Sequence, residues 1–208
     1  MKKKTLLMAI AISAALLFTQ CKSESTEEKV NTENPETAEI TYKVNTGTSH
    51  VNWEGVMLGV KAHRGKLKFT TATLTVKGNQ LVSGTFTVDM KSLSFDDTNY
   101  KANTDYSKEK FQAHLESPDF FDVANYPTAS FVIKSVNGNT ASGTMTIRDK
   151  TNEETLTDIV VNESNGTVTA SGKLVFNRKK YGVAFDTGAK DMVISDDVKL
   201  ELSIEGTK

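Results

Sequence analysis

The sequence predicts an all-β fold, a closed antiparallel barrel or a sandwich with one helix. Three observations carry this. Apolar and polar residues alternate strictly in several runs, which puts one face on a core and the other in water. The breaks between runs hold turn chemistry, as in Lys77-Gly78-Asn79, Asn137-Gly138-Asn139 and Asn165-Gly166. Threonine, a residue that suits strands, is abundant throughout.

Taken in order, alternating runs lie near 40–45, 49–55, 66–77, 84–90, 129–136, 141–148, 155–162, 168–176 and 198–204. In the fourth, Phe86, Val88 and Met90 alternate with Thr85, Thr87 and Asp89. In the eighth, Val168, Ala170, Gly172, Leu174 and Phe176 share a face opposite Thr169, Ser171 and Lys173. In the last, Val198, Leu200, Leu202 and Ile204 alternate with Lys199, Glu201, Ser203 and Glu205. This strand is expected to close the sheet by pairing with an early one. One segment breaks the rhythm. Ser107 to Glu116 reads as a helix with Phe111 and Leu115 four apart on one face. Ser107 is its expected N-cap, and Pro118 ends it.

The amino terminus reads as a secretory leader. Lys2, Lys3 and Lys4 precede an almost wholly apolar stretch, Thr5 to Phe18, and then Leu17-Phe18-Thr19-Gln20-Cys21. A spanning helix needs ~20 apolar residues, and this stretch is shorter. The pattern is similar to that of bacterial lipoproteins, which makes Cys21 the expected lipid anchor. Cys21 is the only cysteine and cannot form an internal disulfide; a plain signal peptide with an idle cysteine is the alternative. Residues 21–39 then read as the lipidated cysteine and a flexible acidic tether, rich in Ser, Thr, Glu and Asn, with Pro35 and little to bury. The expected division is therefore a leader at 1–20, an anchor and tether at 21–39, and a barrel at 40–207. The expected location is the cell envelope, membrane-anchored, facing the periplasm or the outer surface.

Loss of residues 1–20 removes three lysines and no acids, leaving 22 basic and 26 acidic groups, a net of −4. Residues 22–39, with six glutamates and two lysines, account for all of it, so the remainder is balanced. No basic patch asks for nucleic acid. His50, His63 and His114 stand without other metal ligands at metal-binding spacing, so no metal site is expected. The catalytic signatures G-x-S-x-G and H-E-x-x-H and a glycine-rich phosphate loop are missing from the sequence, and no enzymatic role is expected.

Longer motifs resemble the YceI-like family. The most specific is His114-Leu115-Glu116-Ser117-Pro118-Asp119-Phe120-Phe121-Asp122-Val123, followed by Tyr126-Pro127 and Phe131. Ser49-His50-Val51-Asn52-Trp53-Glu54-Gly55 with His63-Arg64-Gly65 looks like the family's opening strands. Gly143-Thr144-Met145-Thr146-Ile147-Arg148 and Phe176-Asn177-Arg178-Lys179-Lys180-Tyr181-Gly182-Val183 look like its central and late segments. Met145 stands where leucine is usual, and Asp149 where a glycine often follows. The resemblance implies an eight-stranded, antiparallel, lipocalin-like barrel holding an isoprenoid lipid, a quinone or a similar amphiphile.

On that reading Trp53, Phe86, Met90, Phe131, Met145 and Phe176 are candidates for an apolar tail channel, with ordinary core packing as the alternative for each. His63 and His114 are candidates for the barrel mouth, and Arg178 with Tyr181 for gripping a polar or phosphate head. Phe121 is expected in a packed corner, and Asp119 and Asp122 as turn-bonding groups. The function expected is passive: a lipoprotein that binds and carries an amphiphilic lipid. The alternatives are an enzyme acting on a small apolar substrate and a ligandless envelope stress or surface protein.

Overall fold

In a computed structural model, which describes residues 38–58, 61–97, 100–101, 104, 107–188, 190 and 193–208, each of the nine alternating runs forms a strand. They are β1 (Glu39–Val44), β2 (His50–Leu58), β3 (Lys61–Lys77), β4 (Gln80–Asp89), β5 (Thr128–Asn137), β6 (Thr140–Ile147), β7 (Lys150–Ser164), β8 (Thr167–Asn177) and β9 (Val193–Thr207). Helix α1 (Lys108–Glu116) is capped by the Ser107 hydroxyl, which accepts from the Lys110 backbone N–H at 3.3 Å. The leader, Cys21 and the tether up to residue 37 lie outside the described residues.

All pairings are antiparallel, and neighbours in sequence pair in turn from β2 to β9. β9 then pairs with β2, from His50↔Ser203 to Leu58↔Val193, so the sheet closes on itself. Nine strands fill eight positions because β1 and β2 share one. β1 pairs with the far half of β3 (Glu39↔Lys77 to Lys43↔Thr73) and with the end of β9, while β2 takes the near half of β3 (His50↔Lys68 to Met57↔Lys61). At the break between them a side chain replaces the lost ladder. The buried Ser49 hydroxyl donates to the Glu205 carbonyl at 3.2 Å and accepts from the Glu205 N–H at 2.9 Å. This keeps buried backbone groups paired where the strand stops.

The two ends of the barrel differ. One carries the tight turns between β3 and β4, β5 and β6, and β7 and β8. At the last of these, Asn165 and Gly166 both have positive φ (51° and 77°), the geometry that suits the twist of a two-residue hairpin. This end is packed solid by Tyr42, Leu74, Val76, Val168 and Ile204. The Tyr42 hydroxyl donates to Glu163 at 2.6 Å, and burial, then this carboxylate, pushes its phenol up to about 12. The other end carries α1 and the long connections that lead into β5 and into β9.

The helix end and corner are knit by their own backbone. The N–H groups of Phe121, Asp122 and Val123 donate to the carbonyls of Leu115, Ser117 and Glu116 at 2.9–3.1 Å. Asp122 is a turn-bonding group, as expected: it is buried and accepts from Asn125 Nδ2 at 3.0 and 3.1 Å. Arg148 Nη1 donates to the carbonyls of Phe120 and Gly182, each at 3.1 Å, tying the corner to the turn after β8. In the β6–β7 connection the positive φ falls on Arg148 (56°).

Candidate functional site

The half of the barrel beneath α1 is hollow. A cavity of about 180 Å³ lies between the inward faces of the strands, with Phe86, Leu156, Leu174 and Leu202 deep in the barrel and Met57, Ile194 and Ser195 toward the helical end. Phe111 and Leu115 of α1 and Phe120 and Phe121 of the corner also line it. Alternation explains the lining: every second residue of each strand points inward, and here those residues are apolar. An apolar chain entering it gains about 0.8 kcal/mol for each methylene taken from water.

Few polar groups reach this chamber. His63, on β3, lines it and is buried. Its Nδ1 lies 2.6 Å from Asp97 Oδ2, a carboxylate that accepts, so Nδ1 donates. The Tyr100 hydroxyl donates to the same oxygen at 3.0 Å and lies 3.2 Å from Nδ1. Burial, with Asp97 beside it, holds the Tyr100 phenol far above its ordinary value. The imidazole packs 4.2 Å from the Phe111 ring, centroid to centroid. Trp53 also lines the cavity, edge-on to Phe95 at 5.5 Å, and its Nε1 is buried without a partner among the described residues. Opposite it, Gly65 has no room for a side chain: a Cβ there would stand 1.7 Å from the Ser94 carbonyl oxygen and 3.0 Å from that Nε1.

Eight of the ten residues singled out from the sequence line the cavity: Trp53, His63, Phe86, Met90, Phe131, Met145, Phe176 and Arg178. The other two do not. His114 faces away on α1, packed between Phe120 and Phe185 at 4.9 and 4.7 Å. Tyr181 is wholly buried outside the chamber, where its hydroxyl donates to Glu154 at 3.0 Å; burial and that carboxylate raise its phenol well above the usual range.

Arg178 touches the chamber but has no free fork for a headgroup. Nε donates to the Ser195 carbonyl at 3.0 Å, Nη1 to those of Val183 and Phe185 at 2.7 and 3.1 Å, and Nη2 to that of Ile194 at 3.3 Å. Asp196 stands 3.6 Å from Nη2 as its ion-pair partner. The side chain is a buried clamp between the turn after β8 and the start of β9. Burial lowers its pKa, with Asp196 and Asp186 opposing, yet a guanidinium stays charged.

Sequence reasoning missed Asp97 and Tyr100, which sit in a stretch with no periodic pattern. Phe111 and Leu115 were legible as one helical face, and only their destination was not.

Together these features define a class: an up-and-down antiparallel barrel enclosing an apolar chamber under a helical cover. The chain belongs to the YceI-like family, whose domain model matches residues 42–206. A UPF0312 protein of Staphylococcus epidermidis is 32% identical over 126 residues, which are 56% of this chain and 73% of that protein. A UPF0312 protein of Staphylococcus aureus is 31% identical with the same coverage. Among solved structures, BcnA of Burkholderia cenocepacia superposes with a TM-score of 0.60 at 21% identity, over 79% of this chain and 99% of that one. A polyisoprenoid binding domain from Saccharophagus degradans, implicated in plant cell wall breakdown, gives 0.56 at 12% identity, over 80% and 97%. At these identities the likeness is one of fold.

Proposed function

We propose that this protein is an envelope lipoprotein, anchored through Cys21, that binds an isoprenoid or similar long apolar chain inside its barrel and carries it without chemical change. The single observation that carries this is the chamber: an apolar space that the barrel's own side chains leave unfilled. Such concave apolar sites with few polar groups are the ordinary form of small-molecule sites. The solved domain described as polyisoprenoid binding supports the choice of ligand through its shared fold. The leader and lone cysteine support the anchoring.

The test is mass spectrometry of an organic extract of the natively purified protein, paired with a titration of isoprenoid alcohols of increasing length. We expect an apolar-tailed molecule in the extract. We expect affinity to rise with each methylene by up to about 0.8 kcal/mol until the chamber is full. A lipid-free extract together with no binding across the series rejects the carrier reading. A Cys21→Ala chain that stays as membrane-bound as the wild type in the native host rejects the anchor.

A further inference from the structure

Among the polar side chains that line the chamber, His63 has its chemistry set by its neighbours. This builds on the carrier reading above. His63 lines the cavity, and its two ring nitrogens are not equivalent. Nδ1 is committed to Asp97 at 2.6 Å, an arrangement held by the Tyr100 hydroxyl on the same oxygen. In the neutral ring a donating Nδ1 leaves Nε2 with a bare lone pair. Among the described residues Nε2 has no hydrogen-bond partner. An acceptor left without a donor is a place where a ligand that brings one can bind.

The cations nearby are otherwise engaged or outside the lining. Arg178 donates to four backbone carbonyls and is ion-paired with Asp196. Lys108 Nζ donates to the Phe95 carbonyl at 3.2 Å. Lys61 is exposed, its Nζ 5.7 Å from the centre of the Tyr100 ring, and it does not line the chamber. An anionic head drawn into the cavity would thus lose its hydration with no free cation to replace it. A hydroxyl would lose little and meet the Nε2 lone pair.

We propose that the Tyr100–Asp97–His63 relay makes this a site for neutral, donor-bearing heads, an isoprenoid alcohol or another lipid hydroxyl, and that the head's hydroxyl donates to His63 Nε2. Asp97 and Tyr100 are positioning residues that act through His63.

The experiment uses the full-length protein above neutral pH and three probes with one tail: geranylgeraniol, its methyl ether and its diphosphate. The ether keeps the oxygen as an acceptor and removes the donor. We expect the alcohol to bind roughly tenfold more tightly than the ether, the size of one well-made hydrogen bond to an otherwise unpaired group, and the diphosphate to bind more weakly than the alcohol. In His63→Phe the alcohol and the ether should bind alike, because only the ratio depends on the lone pair. Asp97→Ala should shrink the ratio by freeing the tautomer. Nitrogen NMR of the imidazole checks the wild type independently of folding in the variants: Nε2 should be the unprotonated nitrogen and should shift on adding the alcohol. Equal binding of alcohol and ether, tightest binding of the diphosphate, or a protonated Nε2 in the neutral ring overturns the proposal. If no probe binds, the carrier reading falls and this proposal with it.

Discussion

The clearest lesson at the scale of single residues is Arg178. Its type and position suggested an oxyanion grip, yet its planar fork serves the chain itself, donating to four backbone carbonyls. Removing it leaves several carbonyls short of donors in a buried place. Arg178→Met should therefore destabilise the protein by on the order of 3–5 kcal/mol, and Arg178→Lys should recover only part, since an ammonium cannot span the four oxygens. Denaturant unfolding reads this. A loss below about 1 kcal/mol for Arg178→Met would mean that water replaces the clamp at little cost.

Among the elements, α1 and the corner after it do two jobs, and their aromatic residues divide accordingly. Phe131, opposite Phe86 and Met145 on its neighbouring strands, also lines the cavity but is buried. Phe121, expected in the packed corner, is only partly buried and lines the cavity. Phe131→Ala should cost about 3–5 kcal/mol, as a large side chain lost from a packed core does. Phe121→Ala should cost clearly less, because its ring is only partly buried, and should weaken binding of a long isoprenoid alcohol. Chemical denaturation of both variants beside a binding titration separates the roles. Equal stability losses with unchanged affinity would place Phe121 in the core instead.

Seen whole, the molecule spends its apolar residues unevenly. The end with the tight turns is filled, while the helical end keeps a chamber. A space of this size forfeits contacts that a packed core would make. Filling it from the wall should therefore stabilise the fold while abolishing carriage. Ala129 faces inward on β5, paired with Val88, and lines the cavity. Ala129→Trp should leave the melting temperature unchanged or raise it, and should weaken the longest-tailed ligands most. Thermal melting with the tail-length series checks both halves. Undiminished binding by a folded Ala129→Trp would show that the tail lies elsewhere.

How much of this was legible in the sequence follows from how far apart the interacting residues lie. Alternation is a property of residues two apart, so all nine strands could be read, as could Ser107 capping α1 and the turn at Asn165-Gly166. The motifs around His114 and Arg178 placed the chain in its family. Inward-facing aromatic and methionine positions were legible because strand parity decides them locally. Closure by the last strand was expected and occurs, but the side-chain contacts that closure creates are not local. Ser49 replaces a ladder bond to Glu205, Asp97 reaches His63, and Arg178 gathers carbonyls from Val183 to Ser195, all through pairings that the closed sheet brings about. His114 and Leu115 are neighbours on one helix, and only the packing of α1 decides which of them meets the chamber. By itself the sequence determined an alternating, helix-capped barrel of the YceI-like family. Only the tertiary structure decided that one end is hollow and which polar atoms remain free there, because filled and hollow barrels share one alternating pattern and differ in how strand register and cover leave volume between the side chains.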